Sequence, residues 1–381
     1  MIATPLSSID AKEKSILRLL VQIAQIPSPT GSEEKKIIFL KNKLKELGFR
    51  TGKIDEAGNC ILEIPGITSV THKKTILIVA HADTACDPGE RHKITEDKKY
   101  LYGHGVCDNS AGIAALLTTI KLLKEFHLKL PANLIFGFTV EEEGLGGKRG
   151  MKQIMKDHGR KIDAVINVES HNIGRVTNQV IAQFRCLIDV STKQGGHSFR
   201  NFGMPNTNVI LARIISDFSK SKIHQIGGKT TFNVAQLKSE GTINSIPTNA
   251  SALFEIRSEN KTSFKSAKNK FLSIVNNYKK MFPQASITID KYADVDVVGF
   301  PKTHKLYKLV IDAQKQLGIE SKIDSGNTDG DVSLALGIPT VTIGTSIGFN
   351  THSLNEYMEK DPFILGIKQV FLVVSSVTNG I

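Results

Sequence analysis

Histidine and carboxylate residues, far apart in the chain, stand where apolar runs end. His81 and Asp83 follow TILIVA. Asp108 lies between Gly103, Gly105 and a run rich in alanine and leucine. Glu141, Glu142 and Glu143 follow ANLIFGFTV, Glu169 follows DAVINV, and His352 lies beyond TVTIG. Imidazole nitrogen and carboxylate oxygen, without thiolate, suit zinc and equally cobalt or manganese. A run of three acidic residues is more often a solvated face. This one follows a buried run and leads into GLGGKRG, and adjacent carboxylates at a strand end repel one another unless cations compensate them. A lone histidine is usually structural. Here the His81-x-Asp83 spacing adds a carboxylate able to fix the imidazole tautomer and raise its basicity. With His and carboxylate donors at ~2.0–2.2 Å and one position open on each ion, the set suits two divalent ions, Asp108 being the expected bridge.

The elements that must position these residues read as alternating buried strands and amphipathic helices. A helix spans about 10–25, and a second starts at Ser32 and ends at Gly48. Strands are expected at 60–64, 75–80, 133–139 and 164–168, with a loop over 83–108 and a helix from Ser110 to about Phe126. The almost unbroken apolar run at 75–80 fits a strand covered on both faces, and the alternation argues for a three-layer α/β domain. Around Ile181 the texture changes. Strand 183–192, helix 206–220, strands 230–238 and 252–259, helix 261–281 and strand 286–292 follow the split ferredoxin-like order. The α/β pattern then resumes with helices at 304–317 and 331–336, a strand at 340–343 and a terminal helix from Pro362, so the small domain is inserted in the larger one.

Composition narrows the function classes. At 381 residues, with 40% hydrophobic and 23% charged content, the chain is an ordinary globular sequence long enough for two domains. The net charge of +12 invites a nucleic-acid function, but the lysines are scattered in pairs such as Lys35-Lys36 and Lys73-Lys74, and no basic stripe interleaves with aromatics. A solvated basic surface, favouring anionic substrates, is expected instead. No apolar run approaches the ~18 residues that cross a bilayer, and MIATPLSSIDAKEKSILRLL lacks the order of a secretory signal. The four cysteines form no Cys-x-x-Cys pair and are expected as free thiols, in keeping with a cytoplasmic protein.

The strings VAHADT, LYGHGVCDNSAG, TVEEEGLGG, QGGHSF, NSIPTNASALFEIRS, SGNTDGDVSLALGIPTVTIG and NTHSLNEYME occur in that order. Through them nearly the whole chain resembles the zinc-dependent exopeptidase and deacylase family. That family contains glutamate carboxypeptidase, aminoacylase, succinyl-diaminopimelate desuccinylase, acetylornithine deacetylase and peptidase T. The resemblance implies a mixed-sheet catalytic domain at 1–180 and 294–381, with an inserted ferredoxin-like dimerisation or lid domain at 181–293. It implies one zinc held by His81, Asp108 and Glu169 and another by Asp108, Glu143 and His352, with cobalt or manganese as substitutes. Asp83 would orient His81. Glu142 would be the general base that deprotonates a water between the ions, and Glu141 a flanking residue. The resulting metal-bridged hydroxide would attack an amide carbonyl. His197, in QGGHSF, would reach the site of a partner subunit and stabilise the oxyanion, implying a homodimer.

Arg257, in LFEIRS, matches the family's Asp-x-Arg slot with Glu255 in place of Asp. There it would grip a substrate carboxylate, the alternative being an ordinary strand-edge arginine. Asn244 and Asn249, which bracket SIPT, would donate hydrogen bonds to substrate. Asp329, in NTDG, matches a position near the site without an assigned role. The TDG string resembles peptidase T, but Asp324, Ser325 and Gly326 stand where an arginine is expected for tripeptides. The implied function is two-metal hydrolysis of an amide bond in a small carboxylate-bearing substrate, first as an exopeptidase. An N-acyl-amino-acid deacylase is the alternative, and a non-catalytic metal-binding member of the fold a second. No nucleic acid or membrane partner is expected.

Overall fold

The computed structural model describes residues 3–50, 52–67, 73–87, 89–90, 93–128, 130–144, 147–223 and 227–381. Leu145 and Gly146 of the GLGG string, and Pro88, Arg91 and His92 of the expected 83–108 loop, lie outside the described residues. The chain divides into two compact units, Met1–Gln179 with Gly299–Ile381, and Val180–Val298.

The larger unit is built on an eight-stranded mixed sheet. Its order is Lys53–Ile54, Cys60–Ile64, Asn133–Thr139, Thr75–His81, Ala164–Ile173, Thr340–Gly344, Arg175–Val180 and Lys322–Gly326. The four central strands, from Asn133–Thr139 to Thr340–Gly344, run parallel. Every residue of Thr75–His81 is buried, as befits a parallel strand covered on both faces. Because side chains alternate along a strand, Ile76, Ile78 and Ala80 enter one core while Leu77 and Val79 enter another. The first core is filled by helices Glu13–Ala24, Ser110–Glu125, Lys305–Gln316 and Lys360–Gly380. The second holds Met151, Ile154 and Met155 of helix Arg149–His158.

A second, four-stranded antiparallel sheet orders Gly348–Phe349, Tyr357–Glu359, Tyr100–Tyr102 and Thr95–Glu96. Its register pairs Tyr357 with Tyr102 and Met358 with Leu101. Segments some 250 positions apart in the chain are thereby set side by side.

The smaller unit carries the strand order Thr230–Ser239, Asn249–Ser258, Ala182–Thr192 and Ala285–Val295, antiparallel throughout. Helices Thr207–Lys220 and Lys261–Met281 pack on this sheet, and Phe184, Phe218, Phe254, Phe264 and Phe271 fill the space between. Asn206 and Asn260 cap the two helices by accepting from backbone N–H groups of the first turn. This is the ferredoxin-like arrangement expected from the element order.

Several local expectations change. The first helix is two, Ala3–Ala11 and Glu13–Ala24, broken at Lys12. Strands Arg175–Val180 and Lys322–Gly326 carry no strong apolar alternation in sequence and are seen only in the sheet. Helix Lys360–Gly380 is long and apolar enough, by length and composition, to cross a membrane, contrary to the expectation for the chain. In the fold, 72% of its apolar window is buried, so its hydrophobicity serves the core of the larger unit. Gly366 lets that helix lie directly on Thr345, since a Cβ there would stand 1.8 Å from the Thr345 carbonyl oxygen.

Candidate metal centre

The carboxyl ends of parallel strands gather the site, as is general for open α/β sheets. His81 closes Thr75–His81, and the Ala82 N–H donates to the carbonyl of Thr139 in the next strand at 2.7 Å. Asp83 and the acidic triplet therefore leave neighbouring strands side by side. Asp83 is fully buried and ties them together. Its Oδ1 accepts from Glu142 N (3.1 Å), and its Oδ2 from Glu143 N (2.9 Å) and from Thr30 Oγ1 (3.0 Å). His81 Nδ1 faces only acceptors, the Asp83 carbonyl at 3.1 Å and Oδ1 at 3.4 Å. In the neutral ring Nδ1 therefore carries the proton, and Nε2 is free to act as a ligand.

His81 Nε2 stands 3.1 Å from Asp108 Oδ1 and 3.5 Å from Glu169 Oε2. On the other side, His352 Nε2 is 3.2 Å from Asp108 Oδ2 and 2.9 Å from Glu143 Oε1. Asp108 thus spans two clusters, His81–Asp108–Glu169 and Asp108–Glu143–His352. Glu142 joins His81 and Glu143 in a further group whose ligand atoms lie within 4.8 Å of one another. Glu169 lies within Ala164–Ile173 rather than after it, and Asn167 Nδ2 donates to its Oε1 at 3.1 Å. Glu141 turns away, with a left-handed φ of 57°, to pair with Arg149 at 2.6 Å.

This donor set fits divalent ions. A tetrahedron with ~2.1 Å arms has edges of about 3.4 Å, and the contacts within the two clusters run from 2.9 to 3.5 Å. The electrostatics agree. Burial by itself would lower His81, but the carboxylates of Glu169, Asp108 and Asp83 override it and hold the imidazole well above its ordinary value. Hydrogen bonds to Asp108 and Glu143 raise His352 to about 10. Asp108 is held well below the carboxylate range, its two histidines outweighing its burial. The pocket thus draws positive charge to the positions that ions would take. Burial pushes the half-buried Glu142 well above the ordinary range.

Residues 77–375 match peptidase family M20/M25/M40. The chain belongs to this family. It is a metallohydrolase of the M20 type, with peptidase- or deacylase-type activity. It is 25% identical over 389 aligned positions to the uncharacterized protein YqjE of Bacillus subtilis, covering 95% of this chain and 98% of that one. Similarity to peptidase T of Clostridium perfringens is 24% and covers 74% of this chain and 67% of that one. Among solved structures, a tripeptidase from Staphylococcus aureus superposes with a TM-score of 0.80 at 22% identity, over 96% of this chain and 98% of that one. That likeness concerns the fold.

The remaining expected site residues belong to the smaller unit. His197 is exposed on the short strand Gly196–His197, and its Nδ1 accepts from Phe199 N at 3.3 Å. The Gly196–His197 strand pairs with Ser245–Ile246, and Ser198 N donates to the Asn244 carbonyl at 2.9 Å, so His197 and Asn244 share one corner. Asn244 and Asn249 are exposed. Arg257 does not join them. It pairs opposite Gln183 while Asn249 pairs opposite Ser191, eight positions along the strand. At ~3.3 Å per residue this is a separation of about 26 Å, too far for one small ligand within a subunit. Its Nε instead contacts Glu255, which Arg185 also holds. Burial would raise the Glu255 carboxyl, but the two guanidinium groups keep it below its ordinary value.

Near the metal ligands, Lys36 and Glu356 are singled out by no motif, and Asp329, matched through NTDG, takes no role from it. Lys36, expected among the scattered surface lysines, is 1% exposed, with Nζ 3.4 Å from Thr84 Oγ1. Its place on the Ile37, Leu40 and Leu44 face of helix Glu34–Glu46 was the available signal. Asp329 is fully buried. Its Oδ2 accepts from Thr139 Oγ1 at 2.5 Å, its Oδ1 has no partner among the described residues, and burial raises it to about 7. Glu356, within HSLNE, is buried against the loop that carries Asp108, and burial raises it to about 7 against the backbone N–H groups that it accepts from.

Proposed function

We propose that this M20 hydrolase cleaves the amide bond of a small carboxylate-bearing substrate, acting first as a di- or tripeptidase or carboxypeptidase-like exopeptidase. The observation that carries the reading is Asp108 spanning two His–carboxylate clusters with Glu142 beside them. His81, Asp108 and Glu169 would hold one ion, and Asp108, Glu143 and His352 the other, zinc being favoured by the nitrogen and oxygen donors. Two such ions would supply Lewis acidity at the carbonyl and an acidified water. Glu142 takes the proton of the attacking water and returns it to the leaving amine, its raised affinity for protons matching that task. Asp83 keeps the Glu142–Glu143 backbone and the His81 ring in place.

His197 is assigned to the oxyanion of a partner subunit, so the functional form is a homodimer through the inserted domain. Supporting this, Phe199, Phe202 and Ile243 are 87%, 91% and 102% exposed around the His197 corner, and such apolar exposure favours association. Asn244 and Asn249 remain candidate substrate donors. Free cysteines support a cytoplasmic location. Peptidase action is placed ahead of N-acyl-amino-acid deacylation, supported by the similarity to peptidase T.

The test loads purified protein with zinc or cobalt. It compares di- and tripeptides with N-acetyl, N-succinyl and N-carbamoyl amino acids, each beside its carboxamide. Metal-dependent cleavage of peptides with a free carboxylate is expected. Exclusive turnover of acyl amino acids would select the deacylase alternative. Two bound ions without hydrolysis anywhere would leave the non-catalytic one.

A further inference from the structure

We propose that Glu356 is a positioning residue of the metal centre, a carboxylate clamp that fixes Asp108 and His352 relative to each other. The proposal rests on these two residues being ligands, as proposed above. Glu356 is 1% exposed and accepts from three backbone N–H groups of one loop. Its Oε2 receives Gly105 N at 3.0 Å, and its Oε1 receives Cys107 N at 2.7 Å and Asp108 N at 2.9 Å. The sheet register explains the meeting. Tyr357 pairs with Tyr102, which puts Glu356 opposite Gly103, and Gly103 N donates to the Glu356 carbonyl at 2.8 Å. The strand that ends at Tyr102 thus enters the 103–108 loop already docked on Glu356.

That loop is not a strand or helix and has no ladder of its own. A backbone N–H at Asp108 bonded to a buried carboxylate fixes where the Asp108 side chain starts, and hydrogen bonds to a charged acceptor are shorter and stronger than neutral ones. The other end of the clamp is the turn bearing His352. His352 itself has a left-handed φ of 63° and Asn350 one of 53°, a conformation that non-glycine residues hold only when their surroundings impose it. Within the turn, Ser353 Oγ donates to the Asn350 carbonyl at 2.7 Å and Glu356 N to the Ser353 carbonyl at 3.1 Å. Glu356 lies four positions after His352, so the turn is anchored at one end by this clamp and reaches the bridging Asp108 with His352 at the other. Partners behind a ligand orient it and tune its grip on the ion.

Glu356→Gln keeps the size but has a single acceptor oxygen. With that oxygen at the Oε1 position, the new NH2 faces the Gly105 N–H; reversed, it faces two N–H groups. Metal-free protein and the variant are titrated with Co²⁺, following the visible ligand-field bands and the heat of binding, with thermal unfolding measured alongside. Wild type is expected to take up two ions, and Glu356→Gln to bind cobalt roughly 10–100-fold more weakly, with altered bands. Leu20→Ala, which loosens the core of the larger unit from helix Glu13–Ala24, more than 80 positions from these residues in sequence, serves as control and should leave cobalt affinity unchanged.

A folded Glu356→Gln protein with wild-type cobalt affinity and bands overturns the proposal, as does an affinity loss matched by Leu20→Ala. If Glu356→Gln does not fold, Glu356→Asp, which keeps the carboxylate one methylene short, is measured in its place. A folded Asp variant with weakened cobalt binding supports the clamp, and one that also fails to fold makes Glu356 a requirement of folding and overturns it. Failure of wild type to bind cobalt would instead count against the metal-centre reading itself.

Discussion

Replacing Lys36 by methionine removes an ammonium group that the fold buries almost completely. Burial pushes Lys36 from its ordinary 10.5 down to about 8, against the pull of Asp83, Cys86, Glu33 and Glu356, so desolvation wins over attraction. The gap is worth about 3 kcal/mol at ~1.4 kcal/mol per pH unit. The sign follows from proton counting. Between pH 8 and 10.5 the unfolded chain holds a proton at this lysine that the folded chain has released, so stability rises with pH through that window. Below pH 8 the burial cost is present in full, and it is lifted as pH approaches 10.5. Lys36→Met has no such term. Wild type should therefore gain about 3 kcal/mol relative to the variant between pH 7 and pH 10.5. With no tryptophan in the chain, urea unfolding is followed by far-UV circular dichroism and tyrosine fluorescence, with chelator and reductant present. A wild-type-minus-variant difference that stays flat across this range, or moves the other way, refutes the buried, destabilised ammonium.

Glu142→Gln should retain both metal ions by elemental analysis while losing roughly 100- to 10,000-fold in kcat, and unchanged turnover would remove Glu142 from the base role. In the metal-free site both His81 and His352 attract protons, so uptake of two ions should release about two protons. Apparent affinity should then fall as pH drops below about 10, the His352 value; calorimetry in buffers of different ionisation enthalpy measures the count, and zero release contradicts it. Gly366→Ala forces a methyl against the Thr345 carbonyl and should destabilise the larger unit by about 1–3 kcal/mol, read as a lowered melting temperature of the metal-free protein.

Element order and ligand chemistry were legible in the sequence because both are local. TILIVA, ANLIFGFTV and TVTIG announce buried strands by unbroken apolar character, and a strand that ends in a histidine or carboxylate delivers it to the carboxyl edge of a parallel sheet. The ferredoxin-like order likewise follows from apolar periodicity along each segment. Strands Arg175–Val180 and Lys322–Gly326 were not legible, since their places are set by the neighbours they pair with.

Which charged groups meet was decided by the tertiary structure. The pairing of Tyr357 with Tyr102 brings Glu356 onto the Asp108 loop, and no pattern within either segment encodes that register. Burial made Lys36 a buried cation while its neighbour Lys35 stays exposed, because one helix face is covered by the sheet and the other is not. The strand pairing that sets Asn249 opposite Ser191 also carries Arg257 to the far end of the same strand, separating side chains that family strings alone group together. Residue type and spacing along the chain fix what each side chain is able to bind; long-range register fixes which of them share an ion, since distance in space depends on pairing that the chain does not write locally.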